Sequence, residues 1–196
     1  MSRIVAGVAG GLTLASVPGD NTRPTTDRVK EALFSRLESY DVIAGARVLD
    51  LFAGSGALGV ETASRGAAAV DLVEAADKAA AVCRRNADLV NQKLGRKTAT
   101  VHRMKAERFL DDLPAGQHWD LVLMDPPYPL GEDALSGVLG ALSAYLADGA
   151  VVVVERSSRS PEPTWPEGLE RFAVKKYGET QLWFAEPVME PSAPGE

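Results

Sequence analysis

Four consecutive residues, Asp125-Pro126-Pro127-Tyr128, combine a carboxylate, a rigid stretch of backbone and an aromatic ring. Two prolines remove two N–H donors and fix φ, so such a loop is stiff and its carbonyls point in set directions. An exocyclic amine on a nucleobase needs that rigidity, because its lone pair is delocalised into the ring and it is a poor nucleophile. Two acceptors, the Asp125 carboxylate and the Pro126 carbonyl, can grip its two N–H bonds. They would turn the lone pair toward an electrophilic methyl group and relieve positive charge as it builds. Tyr128 can stack on the base and hold it in place. The bland alternative is a Pro-rich turn after a strand. The position of the tetrapeptide, directly after a buried strand in a βα series, favours the chemical reading.

A second group of residues suits the donor of that methyl. The run Asp50-Leu51-Phe52-Ala53-Gly54-Ser55-Gly56-Ala57-Leu58-Gly59 has glycines spaced G-x-G-x-x-G, and Glu74 follows Gly54 by 20 residues. Spacing of this kind marks a loop that lets backbone approach a nucleotide cofactor closely, with an acid on the ribose hydroxyls. It indicates an adenosine-containing cofactor more firmly than it says which one. Asp50 separates the options: a carboxylate before the glycines would repel a pyrophosphate, whereas S-adenosylmethionine carries a sulfonium and an ammonium. Asp50, Phe52, Ala53, Gly54, Ser55, Gly56 and Glu74 are the expected cofactor contacts. For Asp50 taken alone, a turn residue at a strand end is the competing reading.

The elements that must position these residues follow from hydrophobic periodicity. Strands are expected over 47–52, 69–74, 98–102, 119–125 and 150–155, with helices over 76–90, 106–110 and 132–145 and a further helix through 61–65. That alternation implies right-handed crossovers and a mostly parallel sheet with both faces covered. The last two strands, 170–177 and 180–185, are joined at Gly178-Glu179, too short a link for anything but an antiparallel pair. The expected fold class is therefore α/β: a Rossmann-like class I S-adenosylmethionine-dependent methyltransferase. Its mostly parallel seven-stranded sheet would be closed by an antiparallel C-terminal hairpin. Ahead of it, Arg3–Gly7 and Leu12–Ala15 form a possible hairpin around Gly10-Gly11. A helix then begins near Thr26 or Asp27 as N-cap, with Val29, Leu33, Leu37 and Tyr40 on one face. The chain divides into an N-terminal hairpin extension (1–22), a methyltransferase domain (23–186) and a disordered tail (187–196). In an open α/β sheet, ligands bind where strand order reverses. If the first and fourth strands of the domain are neighbours there, the glycine loop and the Asp125 loop share one crevice.

Composition limits the alternatives. The 196 residues, 45% hydrophobic and 24% charged, fit one ordinary domain. No apolar run approaches the roughly 18 residues of a membrane span, and the start has no secretory h-region, so a cytoplasmic location is expected. The one cysteine, Cys83, excludes an internal disulfide and reads as a half-buried thiol in a helix. Net charge is −6, which argues weakly against a nucleic-acid partner. Locally the balance inverts. From Arg84 to Arg108, eight basic residues (Arg84, Arg85, Lys93, Arg96, Lys97, Arg103, Lys105 and Arg108) face only Asp88 and Glu107. Local fields, not totals, steer a polyanion, although a solvated surface would look the same. His102 and His118 suggest no role, and no metal-ligand spacing is present.

With these motifs in order, the chain resembles the RsmD-type family, which methylates the N2 amine of a guanine in bacterial 16S ribosomal RNA. The resemblance covers nearly the whole chain. Arg23-Pro24-Thr25-Thr26-Asp27-Arg28-Val29-Lys30-Glu31-Ala32-Leu33-Phe34 is similar to the family's N-terminal signature, and the hairpin with Tyr177-Gly178 to its close. The resemblance implies a monomeric, metal-free enzyme using S-adenosylmethionine on the small ribosomal subunit or its late precursor. It places Arg23, Thr25 and Arg28, with Tyr128, near the substrate. One departure stands out: an acidic residue common after the third strand, near the cofactor adenine, is replaced by Lys105-Ala106, and the Ala106 N–H is the substitute contact.

Other readings share parts of this pattern. The same tetrapeptide serves N6-adenine methylation of DNA or RNA, so chemistry alone does not choose guanine. A sequence-specific DNA enzyme usually carries a sizeable recognition insert, for which the short connections leave no room. A protein-glutamine methyltransferase would be expected to have Asn in place of Asp125. A non-catalytic RNA-binding relative of the fold is the fourth possibility.

Overall fold

The computed structural model describes residues 2–19 and 26–189. Elements run in the order β1 (Ser2–Arg3), β2 (Thr13–Leu14), α1 (Asp27–Ser39), β3 (Arg47–Leu51), α2 (Ala57–Ser64) and β4 (Ala69–Val73). They continue with α3 (Asp77–Leu94), β5 (Ala99–His102), α4 (Ala106–Asp111), β6 (Trp119–Met124), α5 (Glu132–Leu142), β7 (Leu146–Ser157), β8 (Leu169–Tyr177) and β9 (Thr180–Pro187). The main sheet has seven strands in the order β5-β4-β3-β6-β7-β9-β8. Strands β3 to β7 are parallel, and β9 pairs antiparallel with both β7 and β8. This is the expected class I methyltransferase sheet with its closing hairpin.

Alternation along the strands sends side chains to two cores. Val48, Leu121, Leu123, Val151, Val153 and Phe184 pack on one face with Leu33, Phe34 and Leu37 of α1 and Val60 of α2. Leu49, Leu51, Val122, Met124, Val152 and Val154 pack on the other with Phe109 of α4 and Leu135, Leu139 and Leu142 of α5. Strands buried on both faces read as continuous apolar runs, which is why 47–52 and 119–125 were legible.

Strand order reverses between β3 and β6, which pair directly, Leu51 opposite Met124. The segments after these two strands, the glycine loop and the Asp125 loop, therefore leave the sheet side by side.

The N-terminal hairpin is part of the body. Ile4, Ala9 and Leu14 join the first core. The buried Glu61 carboxylate accepts from Val5 N (2.9 Å) and Ala6 N (3.2 Å), and Lys30 Nζ donates to Arg3 O at 2.9 Å. Thr26 caps α1, its Oγ1 accepting from Val29 N at 3.3 Å. Several boundaries differ from expectation: α3 extends to Leu94, α2 begins at Ala57, α5 ends at Leu142, and the N-terminal strands cover only Ser2–Arg3 and Thr13–Leu14. Strand β7 starts at Leu146 and reaches Ser157, because β9 pairs with its far end through Ser157 opposite Thr180. At the start of the tail expected over 187–196, Pro187 instead pairs with Leu169, and Val188 N donates to Gly168 O at 3.0 Å. Residues 190–196 lie outside the described residues. Among the described residues, no helix is long and apolar enough to cross a membrane.

Candidate active site

The glycine loop is held from below and from both sides. Asp50, 2% exposed at the end of β3, accepts from Gly59 N in the first turn of α2 through Oδ2 at 3.0 Å. That bond satisfies one of the four N–H groups a helix start leaves open. Glu74, just past β4, accepts from Gly54 N at 2.9 Å through one oxygen and from Ala76 N at 2.8 Å through the other. Asn86 of α3, fully buried, donates from Nδ2 to Ser55 O at 2.8 Å and to Ala15 O at 3.0 Å. Gly56 N donates to Ala53 O at 2.8 Å, closing the turn.

Glycine is required at two of these positions for distinct reasons. At Gly56, φ is +81°, and a Cβ would lie 2.8 Å from Cys83 Sγ. At Gly59 a Cβ would lie 2.5 Å from Leu72 Cδ2 and 3.0 Å from the Asp50 carboxylate. Phe52 is a non-glycine residue at φ 62°, a left-handed conformation that is uncommon without glycine and clusters at functional sites. Cys83 is fully buried under this loop rather than half-buried, and burial with the nearby Asp50 and Glu74 carboxylates pushes its thiol up to about 12.

Burial also dominates the electrostatics of Asp50, whose pKa is pushed up to about 8. The Gly59 N–H opposes that shift, and the carboxylates of Asp125 and Glu74 add to it. Acids from two neighbouring strand ends thus act on the buried Asp50, although they come from separate sequence motifs. A cluster of carboxylates beside the glycine loop suits a cationic ligand rather than a polyphosphate.

The second wall is the tetrapeptide after β6. Asp125 is exposed at the strand end, Pro126 is buried, Pro127 is exposed, and Tyr128 is 92% exposed. Leu130 N donates to Pro127 O at 2.9 Å, so the loop folds back on itself. Its far end is tied to β7: Arg156 Nη2 donates to Glu132 Oε1 at 2.6 Å and to Leu130 O at 3.4 Å. Glu132 Oε2 and Arg156 Nε are buried without hydrogen-bond partners.

The structure brings Asp50, Phe52, Ala53, Gly54, Ser55, Gly56 and Glu74 into one loop system beside Asp125. Ala106 is buried at the first position of α4, after the edge strand β5, where first-turn N–H groups lack intrahelical partners. Arg28 is exposed on α1, and Arg23 and Thr25 lie outside the described residues. All eight basic residues from Arg84 to Arg108 are exposed, and Arg84 and Lys97 line a groove of about 300 Å³ with Asp88, Asn91 and Thr100. Arg103 pairs with Asp77 at 3.0 Å and Arg108 with Asp112 at 3.6 Å, which weakens the local positive field. His102 bonds Asp71 at 2.9 Å, and His118 bonds Gly116 O at 2.8 Å. Asn86 and the Arg156–Glu132 pair escaped sequence reasoning.

Comparison with known proteins agrees with this fold. The family model described as conserved hypothetical protein 95 matches residues 2–186. "Ribosomal RNA small subunit methyltransferase D" of Escherichia coli (strain K12) is 37% identical over 166 residues, 84% of this chain and 79% of that protein. The protein of the same name from Haemophilus influenzae is 36% identical over 161 residues, covering 81% and 80%. Among solved structures, the Escherichia coli protein yhhF superposes with a TM-score of 0.79 at 33% identity, covering 94% of this chain and 97% of that one. The carboxylate-lined crevice at the strand reversal is thus carried by a chain that belongs to the family of conserved hypothetical protein 95, the RsmD-type methyltransferases.

Proposed function

We propose that this protein transfers a methyl group from S-adenosylmethionine to the exocyclic N2 amine of one guanine in the 16S ribosomal RNA of the small subunit. The observation that carries the reading is that the glycine loop after β3, held by Asp50 and Glu74, and the Asp125 loop after β6 leave paired strands where strand order reverses. When bound, the cofactor supplies a methyl group activated by the sulfonium.

The residues divide that work. The Gly54–Gly56 backbone gives close approach for the donor, Glu74 has lone pairs left for ribose hydroxyls beside its two backbone bonds, and Asp50 holds the loop while favouring positive charge above it. The Ala106 N–H is the adenine contact. Asp125 and the Pro126 carbonyl hold the two amine hydrogens, so the nitrogen lone pair faces the donor. Transfer of the methyl that the cofactor would supply would leave positive charge on the amine nitrogen. Asp125 would stabilise that charge and take the departing proton. Tyr128 stacks on the extruded base. The exposed basic residues of 84–108, with Arg23, Thr25 and Arg28, contact RNA and position it without specifying sequence. The names of the relatives, which refer to small-subunit ribosomal RNA, support this substrate class.

Tritium transfer from labelled donor to naked DNA, naked RNA, small ribosomal subunits and protein, followed by nucleoside analysis, tests the reading. Label in N2-methylguanosine from small subunits is expected. Label in N6-methyladenosine, in DNA or in protein would overturn it.

A further inference from the structure

A polar pocket of about 220 Å³ opens beside the catalytic loop, lined by Tyr128, Ser157, Arg159, Ser160 and Glu179. Its place in the fold follows from the length of β7. Strands β6 and β7 pair up to Met124 opposite Val154, after which β7 continues to Ser157. There Ser158 N donates to Glu179 O at 2.8 Å, fixing the β8–β9 turn on the end of β7. Ser160 N donates to Ser157 O at 3.0 Å and Arg159 N to Ser157 Oγ at 3.2 Å, so residues 157–160 turn tightly and present Arg159 outward. Arg156, one residue earlier, ties the Tyr128 loop to the same strand. Across the sheet the order is therefore glycine loop after β3, Asp125 after β6, and this pocket after β7.

The chemistry of the lining narrows the ligand. One wall is an exposed phenol ring. The others carry a guanidinium, two hydroxyls and a carboxylate. A phosphate site would not place a carboxylate beside its arginine, since like charges repel. A nucleobase edge, with donors and an acceptor side by side, suits all of these groups. The volume lies below the roughly 300–1,000 Å³ of sites for drug-sized ligands, and a single base is smaller than those ligands. Guanine presents, in sequence, the N2 amine, N1–H and O6, which is donor, donor, acceptor. With the N2 amine held at Asp125, the remainder of that edge calls for an acceptor and then a donor. Adenine has no amine at C2 and offers an acceptor at N1.

We propose that this pocket selects the target base, Glu179 accepting from guanine N1–H and Arg159 donating to O6, with the ring on Tyr128. The assignment rests on the guanine-N2 reading above and adds the residues that determine specificity. A site built to hydrogen-bond a substrate group discriminates strongly against an analogue that lacks it.

The test uses small subunits reconstituted with either guanine or 2,6-diaminopurine at the nucleotide the wild-type enzyme methylates. Diaminopurine keeps the C2 amine but reverses the polarity at N1 and C6. Wild-type kcat/KM is expected to favour guanine by about 10- to 100-fold. Glu179→Gln and Arg159→Ala, both at exposed turn positions, are expected to lose most of that preference while donor Kd stays within about twofold. A wild-type ratio near one, or variants that keep the full wild-type ratio, would overturn the pocket assignment while methyl transfer to guanine stands. A wild-type enzyme that leaves guanine N2 unmodified would overturn both readings.

Discussion

Asp50 accepts a hydrogen bond from Gly59 N at 3.0 Å, which makes the buried acid of β3 the floor of the glycine loop. Its pKa of about 8 means that the free protein holds this group largely protonated at neutral pH. A cationic donor favours the ionised form, so binding at pH 7 should release close to one proton. The sign follows from linkage: affinity should fall as pH is lowered from 9 to 6, by up to about tenfold per unit. Calorimetry in buffers of different ionisation enthalpy measures the released proton. Asp50→Asn should abolish both the release and the pH slope, and a slope unchanged in that variant would remove the assignment.

The same raised pKa affects stability in the free protein. A carboxyl that binds its proton more tightly folded than unfolded adds stability at low pH, which declines as pH rises from the unfolded value of 3.8 toward about 8. Thermal unfolding of Asp50→Asn, compared with wild type over that window, should show a flatter profile. Equal slopes would contradict the burial argument.

Gly56 combines a left-handed φ of +81° with a 2.8 Å approach of a virtual Cβ to Cys83 Sγ. Gly56→Ala should therefore cost about 1–3 kcal/mol in urea unfolding and weaken donor binding. Adding Cys83→Ala should recover part of that loss, because it removes the clash but not the φ penalty. A double variant no better than the single would place the whole effect in the backbone.

The Arg156–Glu132 pair, at 2.6 Å, holds the end of the Asp125 loop. Arg156→Lys cannot reproduce its two-partner grip and should lower kcat with little change in donor Kd. Arg156→Ala should also destabilise the fold by about 1.5–3 kcal/mol. Stability loss without a kcat effect in Arg156→Lys would show the pair to be structural only.

Charge reversal of Arg84, Lys97 and Lys105, all exposed, should weaken binding to small subunits and flatten its salt dependence. The log–log slope should fall by about 0.7–0.9 for each phosphate that the protein no longer neutralises. A slope unchanged from wild type would place the RNA elsewhere.

The alternation of strands and helices exposed most of the fold, since doubly buried strands leave continuous apolar runs and the turn at Gly178-Glu179 permits only an antiparallel pair. The cap of α1 is legible to within one residue, Thr26 or Asp27, because capping is local, and the structure shows Thr26. Long-range polar pairing was not. Asn86 looks like any polar residue in a helix, yet it holds the Ser55 carbonyl 31 positions away. Arg156 and Glu132 lie 24 apart and give no signal until the sheet places β7 beside the Asp125 loop. Asp50 is expected at the cofactor loop from its type and its place before the glycines, with a strand-end turn residue as the competing reading. Its burial under Gly59 depended on packing between β3 and α2, which no spacing rule encodes.

The most direct measurement is nucleoside mass mapping of 16S RNA from cells lacking the protein, complemented with wild type or with Asp125→Ala. One N2-methylguanosine should be absent without the protein, return with wild type and stay absent with the variant, while the purified variant still binds donor. Persistence of every N2-methylguanosine in the deleted cells, or its full return with Asp125→Ala, would contradict a rigid acidic loop methylating guanine.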